Sequence, residues 1–239
     1  MQHKQRHGVG WALLILVLLV TLVGAVWVGR LTTKGYQLYR QALAQMPLPQ
    51  KVAQLQQEEG YTPLEQLPQT YLDAVIAVED KRFYIHQGID LIALVRALLY
   101  NIKSGSYDQG GSTITQQLAK TMYFTQEKLV ERKIAEVFMS WDLEQNYSKE
   151  EILELYVNSI YFGEGYYGIG QAAQGYYGID PGQMDFDQCT MMAGVPNAPS
   201  VYAPTENPEL ARQRQRQVWR RMKQCGYLTQ SQAQRLGLE

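Results

Sequence analysis

From Trp11 to Val28 the chain reads WALLILVLLVTLVGAVWV, with no charged residue. About 20 apolar residues span the hydrocarbon core of a bilayer, and roughly 17 suffice. A run this long and this apolar is read as a membrane-spanning helix. The competing reading is a cleaved signal peptide, whose apolar region is only about 7–15 residues and ends in small residues before the cut. Here the run is longer and closes in VGAVWVGR, a poor cleavage site. Lys4 and Arg6 precede it, and Arg30 and Lys34 follow, so flanking charge does not decide orientation by count. A short basic leader before a single early apolar segment still points to an N-terminus inside. Trp11 and Trp27 sit at the two ends, where interfacial aromatics belong. Both readings send the rest of the chain out of the cytoplasm.

The expected organisation is therefore a leader over 1–10, a transmembrane anchor over 11–29, a stem over 30–60 and one globular domain over 61–239. The stem is rich in Gln, Ala and Leu and is broken at Pro47-Leu48-Pro49. With 46% hydrophobic and 19% charged residues, the chain can bury a real core. A formal net charge of -1 and the lack of any long basic block speak against a nucleic-acid partner. Two of the three histidines lie in the first seven residues, which argues against a histidine-built metal site. Cys189 and Cys225 have neither CxxC nor zinc-ligand spacing; a disulfide and two separate thiols both remain open.

The domain reads as mainly helical. Tyr71–Val78 and Leu91–Tyr100 carry apolar residues at helical spacing. Ser148 with Glu151 makes a capping box, ahead of a buried stripe of Ile152, Leu155 and Tyr156. Asn207-Pro208 opens a further helix that stops near Gly226. Three stretches interrupt the helical pattern: Glu79–Asp90, Gly110–Lys120 and the glycine-dense Gly163–Gly178. In a helical protein, function is expected at such places, where loops and helix ends expose polar groups.

In GGSTITQQLAK (110–120) two glycines allow close backbone approach to a ligand, and Ser112 is a good N-cap. A helix starting there puts Ser112, Gln116 and Lys120 on one face. That face, with the anion affinity of a helix N-terminus, would suit phosphate and sugar. On composition alone an ordinary capped helix with a solvated polar face is the better account. In AVEDKRFYIHQGID (77–90) an apolar run leads into Glu79 and Asp80. A carboxylate at the edge of apolar surroundings can have a raised pKa, which suits a general base. The plainer account is an acid–base cluster pairing with itself, with His86 structural. Arg132 and Glu136 stand one turn apart; a surface ion pair there is worth about 0.3–0.5 kcal/mol. Cation before anion is the less stabilising order, which weakly favours another job.

Together and in this order, AVIAVEDKRFYIHQGID, GGSTITQQLAK, RKIAE, SKEEILELYVNSIYFGEGYYGIGQAAQGYYG and MMAGVPNAPSVYAP resemble the peptidoglycan glycosyltransferases. These are the monofunctional enzymes and the matching domain of class A penicillin-binding proteins. The resemblance runs from about Tyr61 to the C-terminus. It implies a mainly α fold, with a lysozyme-like helical larger lobe and a smaller membrane-proximal lobe after the one transmembrane helix. It implies catalysis on the extracytoplasmic face of the cytoplasmic membrane. The donor would be a growing glycan on undecaprenyl diphosphate and the acceptor lipid II. The product would be a β-1,4 strand formed with inversion.

Carried over by position, Glu79 matches the general base and Glu136 the second carboxylate. Ser112, Gln116, Gln117 and Lys120 match the polar face gripping the donor, with Thr113 and Asp80 in the same motifs. Arg96 and Arg132 match basic positions lining the cleft. Asn197 falls in the last motif, and Phe83 and His86 match positions that brace the site. The family often has Arg in the loop between its second and third motifs. Lys128 stands there and lacks the bidentate phosphate geometry of Arg. A divalent cation, Mg2+ or Mn2+, is expected from the resemblance, with ligands that the sequence does not assign. Transpeptidases and other wall-synthesis proteins are the expected partners.

A lytic hydrolase would share the fold class, but it must protonate a poor leaving alcohol and needs an acid with a second carboxylate. Diphosphate leaves as a stabilised anion and needs cations instead. A non-catalytic anchor that binds lipid II is the third reading, and the presence of Glu79 and Lys120 speaks against it. The chain closes soon after the motifs without room for a transpeptidase domain: a natural end there means a monofunctional enzyme, and a longer parent would be bifunctional.

Overall fold

The computed structural model describes residues 2–105, 110–124 and 130–238, with side chains from Leu14 onward. Lys128, singled out above, lies outside the described residues. The architecture is mainly α, as expected. In chain order the helices are α1 (Gln2–Gln45), α2 (Leu48–Leu55), α3 (Gln69–Glu79), α4 (Leu91–Ser104), α5 (Ile114–Tyr123), α6 (Val130–Asn146) and α7 (Lys149–Ser159). A short antiparallel hairpin follows, β1 (Tyr161–Gly163) with β2 (Tyr166–Tyr167). Then come α8 (Gly168–Tyr177), α9 (Phe186–Gly194), α10 (Pro199–Tyr202), α11 (Pro208–Cys225) and α12 (Gln230–Arg235).

Among the described residues one helix, α1, is long and apolar enough to cross a membrane. It does not stop where the apolar run stops. Leu, Gln, Ala and Arg after Val28 are strong helix formers, so α1 continues as one helix of 44 residues. It ends just before Pro47, since the residue preceding a proline is pushed out of helical geometry. Pro47 then flanks α2, whose Leu48, Val52 and Leu55 are buried in the core.

The C-terminal part of α1 lies along α6. Gly35 makes this close approach possible: a Cβ there would sit 2.5 Å from Ile134 Cγ2 and 2.8 Å from the Glu131 carbonyl oxygen. Beyond it, Tyr36 and Tyr39 pack on Phe138 with ring centroids 5.1 and 5.8 Å away. The Tyr39 hydroxyl donates to Asp142, and Lys34 Nζ lies 3.8 Å from Glu131.

Two groups of helices form the body. One is α3 with α9 and α11; the other is α5 with α6 and α7. A single cluster of buried side chains runs through both, including Tyr71, Phe83, Ile114, Leu118, Leu143, Tyr156 and Met192. The capping box of Ser148 and Glu151 starts α7 as the sequence indicates, and Ile152, Leu155 and Tyr156 are buried. Pro208 opens α11, and Gly226 closes it in the left-handed conformation. Helix α4 is different: only Ala97 is buried, while Leu91, Ile92, Leu94, Val95, Leu98, Leu99 and Ile102 are exposed.

The glycine-dense stretch packs closely on the chain before α3. Its glycines permit packing: a Cβ on Gly170 would lie 1.9 Å from the Gly60 carbonyl oxygen. The hairpin and α8 are thereby closed onto the chain before α3. Cys189 and Cys225 are both free thiols, which resolves the open choice about pairing.

Candidate active site

The end of α3 meets the start of α5, and this junction collects most of the singled-out residues. Glu79 is the last residue of α3, with a side chain 12% exposed. Its Oε2 accepts a hydrogen bond from Gln117 Nε2 at 2.8 Å. The Tyr156 hydroxyl donates in turn to Gln117 Oε1 at 3.2 Å, which fixes the amide orientation. Glu79 Oε1 is buried and accepts no hydrogen bond; Arg214 Nη2 lies 3.8 Å away. Burial pushes the Glu79 carboxyl above its ordinary range, partly offset by the Gln117 bond and the Arg214 charge, while Asp80 adds to the rise. A raised pKa makes the carboxylate a stronger base toward a hydroxyl proton.

Asp80 faces the other way and ties the two helices together. Its Oδ2 is 2.8 Å from His86 Nε2 and accepts the Ile114 backbone N–H at 3.1 Å. Arg82 forms a two-point pair with Asp90, which caps α4 by accepting from Ala93 N–H at 2.6 Å. The acidic and basic residues of 79–82 therefore do not pair among themselves, as the plainer sequence account held. Glu79, Asp80 and Arg82 reach partners outside this run: Gln117, His86 and Asp90. Phe83 is fully buried, and the Lys149 ammonium lies 4.6 Å from its ring centroid.

The N-cap of α5 is Thr113, not Ser112. Thr113 accepts from Gln116 N–H, and the Gln116 side chain returns a bond to the Thr113 N–H. The Thr113 hydroxyl also donates to the Gly88 carbonyl at 2.6 Å. A capping box needs Glu or Gln three residues after the cap, and Gln116 stands there for Thr113. This corrects the expected face of Ser112, Gln116 and Lys120: Gln116 is buried and its amide oxygen accepts a backbone N–H. Lys120 lies in the last turn of α5.

A second polar cluster lies at the start of the same segment. Lys133 Nζ donates to Ser112 Oγ at 2.8 Å and to Glu136 Oε2 at 2.7 Å. Arg132 Nε is 3.3 Å from Glu136 Oε1. Glu136 is 1% exposed, so the pair with Arg132 is not the surface ion pair that its spacing allowed. The short run from Ser112 to Gln117 joins the Glu136 cluster to Glu79. Arg96, on the exposed side of α4, and Asn197, on an exposed turn after α9, are drawn into neither cluster among the described residues.

Three participants went unnoticed at the sequence level. Arg214 lies beside the buried stripe of α11, Ala211, Gln215, Val218 and Met222. Its side chain is 13% exposed, and its Nε donates to the Gly194 carbonyl at 3.4 Å. An arginine flanking a buried stripe needs a buried acceptor, and that was the available signal. Tyr156 was counted only as core. Lys133 was passed over beside Arg132, although it also lies one turn from Glu136.

Among the described residues no group of three or more His, Cys, Asp or Glu converges on a metal-sized point. Glu79 and Glu136 both stand beside cationic side chains instead. Such donors do not form a cage for a resident ion. Mg2+ characteristically keeps waters and binds through one or two carboxylates plus substrate phosphates.

Comparison with known proteins identifies the relatives of this arrangement. The Transglycosylase family matches residues 48–223. A Cupriavidus necator protein, named provisionally as a transglycosylase, is 37% identical over 222 residues, 93% of each chain. Penicillin-binding protein 1A of Aquifex aeolicus is 42% identical over 176 residues, covering 74% of this chain and 24% of its own. Penicillin-binding protein 1A/1B of Bacillus subtilis is 42% identical over 177 residues, covering 74% of this chain and 19% of its own. The chain thus spans a quarter or less of these two penicillin-binding proteins. Helix α1 is a single-pass membrane anchor by its length, its composition and this kinship. On the family match and these identities, the chain belongs to the transglycosylase family, the peptidoglycan glycosyltransferases found also in class A penicillin-binding proteins.

Proposed function

We propose that this protein polymerises lipid II into β-1,4 glycan strands on the outer face of the cytoplasmic membrane, releasing undecaprenyl diphosphate. The observation that carries this reading is the state of Glu79. It is a buried carboxylate with a raised pKa, one oxygen held by Gln117 and the other accepting no hydrogen bond.

In the proposed step the acceptor's 4-hydroxyl proton passes to Glu79 as that oxygen bonds to the donor's anomeric carbon. The bond from that carbon to the diphosphate breaks, and its electron pair leaves on the diphosphate. Attack opposite the leaving group inverts the anomeric centre. Glu79 is the general base, worth about 10²–10⁴-fold. Lys133, Arg132 and Lys120 supply positive charge toward the leaving diphosphate, and preorganised charge of this kind is the larger contribution. Mg2+ or Mn2+ would enter with the diphosphate and neutralise part of its charge. The N-terminus lies in the cytoplasm, and the exposed apolar side of α4 rests on the membrane surface.

The test is incubation of the full chain with labelled lipid II and a divalent ion, with products separated by size. Polymer from the wild type is expected, and none from Glu79→Gln, which still binds lipid II. Unchanged lipid II in both, or shortened fragments from finished glycan, would overturn the reading.

A further inference from the structure

We propose that α1 is a rigid strut whose seam with α6 sets the height of Lys133, Ser112 and Glu136 above the bilayer, level with the diphosphate of a membrane-embedded polyprenyl substrate. The inference rests on the substrate reading above and adds a device that serves it.

Helix α1 runs unbroken past the apolar run, which ends at Val28. Lys34 follows six residues later, roughly 9 Å further along the axis. The polar layer of a bilayer is about 5–8 Å thick on each side. At this level Lys34 meets Glu131, and Gly35 lets the first turn of α6 come into backbone contact. Just above the headgroup layer, then, α6 begins.

Helix α6 has two working faces. Glu131, Ile134, Phe138 and Asp142 meet α1. On the other side Lys133 meets both Ser112 and Glu136. A shift of α1 along its axis therefore carries the polar cluster with it. The end of α1 is tied to α5 as well, because the Tyr123 hydroxyl donates to the Met46 carbonyl at 3.2 Å. Helices α5 and α6 are thus both fastened to α1. The exposed apolar residues of α4 give a second point of membrane contact, which resists tilting about the first.

The test is a seven-residue helical insertion, Ala-Glu-Ala-Ala-Lys-Ala-Ala, between Arg30 and Leu31. It adds about 10.5 Å and returns the helix face to within roughly 20°. The seam downstream keeps its register. The same insertion between His7 and Gly8 lengthens the leader and leaves the height unchanged. Each protein is assayed with full-length lipid II in phosphatidylethanolamine–phosphatidylglycerol vesicles. Each is also assayed in detergent micelles with an analogue carrying a short prenyl chain. The expected result for the Arg30 insertion is at least a tenfold loss of polymerisation in vesicles, with micellar turnover within twofold of wild type. The leader insertion should match wild type in both. Wild-type rates in vesicles from the Arg30 insertion would overturn the proposal. Equal loss in vesicles and micelles would also overturn it, because height has no meaning in a micelle. Absence of polymer from the wild type in both assays would instead refute the functional reading, and the inference with it.

Discussion

Arg214 Nη2 lies 3.8 Å from Glu79 Oε1, on the oxygen that Gln117 leaves unbonded. The contact joins α11 to the end of α3 and opposes the effect of burial on Glu79. A general base works only when deprotonated, so the acidic limb of the rate profile follows its pKa. Removing the cation raises that pKa. Arg214→Gln should therefore move the acidic limb of kcat/KM to higher pH by roughly one unit, within the range for a cation 4–6 Å away. Arg214→Lys should recover part of the shift. Activity lost equally at every pH would show that Arg214 serves packing alone.

Lys133 and Glu136 test a different balance. Glu136 is 1% exposed, and Lys133 holds one of its oxygens at 2.7 Å. Breaking a buried pair leaves a charge without its partner, at about 3–5 kcal/mol when both groups are buried. Lys133 is 43% exposed and Arg132 remains nearby, so Lys133→Met should cost only about 1–2 kcal/mol. Adding Glu136→Gln should restore most of the stability and none of the activity. Urea unfolding and a polymerisation assay on the two variants separate these effects. Recovery of turnover in the double variant would remove Lys133 from the mechanism.

Much of this arrangement was legible before any coordinates, and the illegible parts share a cause. Periodic apolar stripes located α3 and α7 because burial repeats along a helix; the same spacing located α4, although its apolar residues are exposed. The Ser148–Glu151 box was legible because both halves are local. At Ser112-Thr113 two adjacent hydroxyl residues could each cap, and the Gln three positions beyond Thr113 decided between them. Gln116 consequently serves the backbone, which no single-residue reading of a polar face anticipates. The end of α1 was illegible because loss of hydrophobicity after Val28 does not end a helix. Arg214 was illegible because its partner lies on a distant helix. The buried state of Glu136 depends on what α5 places over α6, and spacing within α6 carries no record of that.

Asp80 ties the end of α3 to the start of α5 through the Ile114 N–H and His86. Asp80→Ala leaves a buried donor unsatisfied, at about 2–3 kcal/mol. Asp80→Asn keeps an acceptor oxygen and should cost about 1 kcal/mol. Both should lower kcat more than they raise KM, because they loosen the Glu79–Gln117 alignment without touching the cationic cluster. Asp80→Ala should lower kcat at least tenfold at temperatures where it is still folded. A variant with normal kcat and a lower melting temperature would restrict Asp80 to folding.

The pair of Arg82 and Asp90 gives a prediction about acid. Burial alone would raise the Asp90 pKa, but the Arg82 bonds and the Ala93 N–H together pull it below the ordinary carboxylate range. The unfolded carboxyl titrates near 3.9. A group depressed on folding contributes stability that is complete above its unfolded pKa and is lost as pH falls through its folded pKa. The wild type should thus lose stability on acidification below about pH 4 partly through Asp90. Arg82→Met should lower the unfolding midpoint at pH 7 and flatten its dependence below about pH 4, since the folded pKa moves toward the unfolded one. Asp90 also caps α4, so the same variant should loosen the start of that exposed apolar helix. Amide exchange at Ala93 is the local readout. Unchanged protection at Ala93, with an unchanged acid limb, would show that the pair contributes nothing to α4.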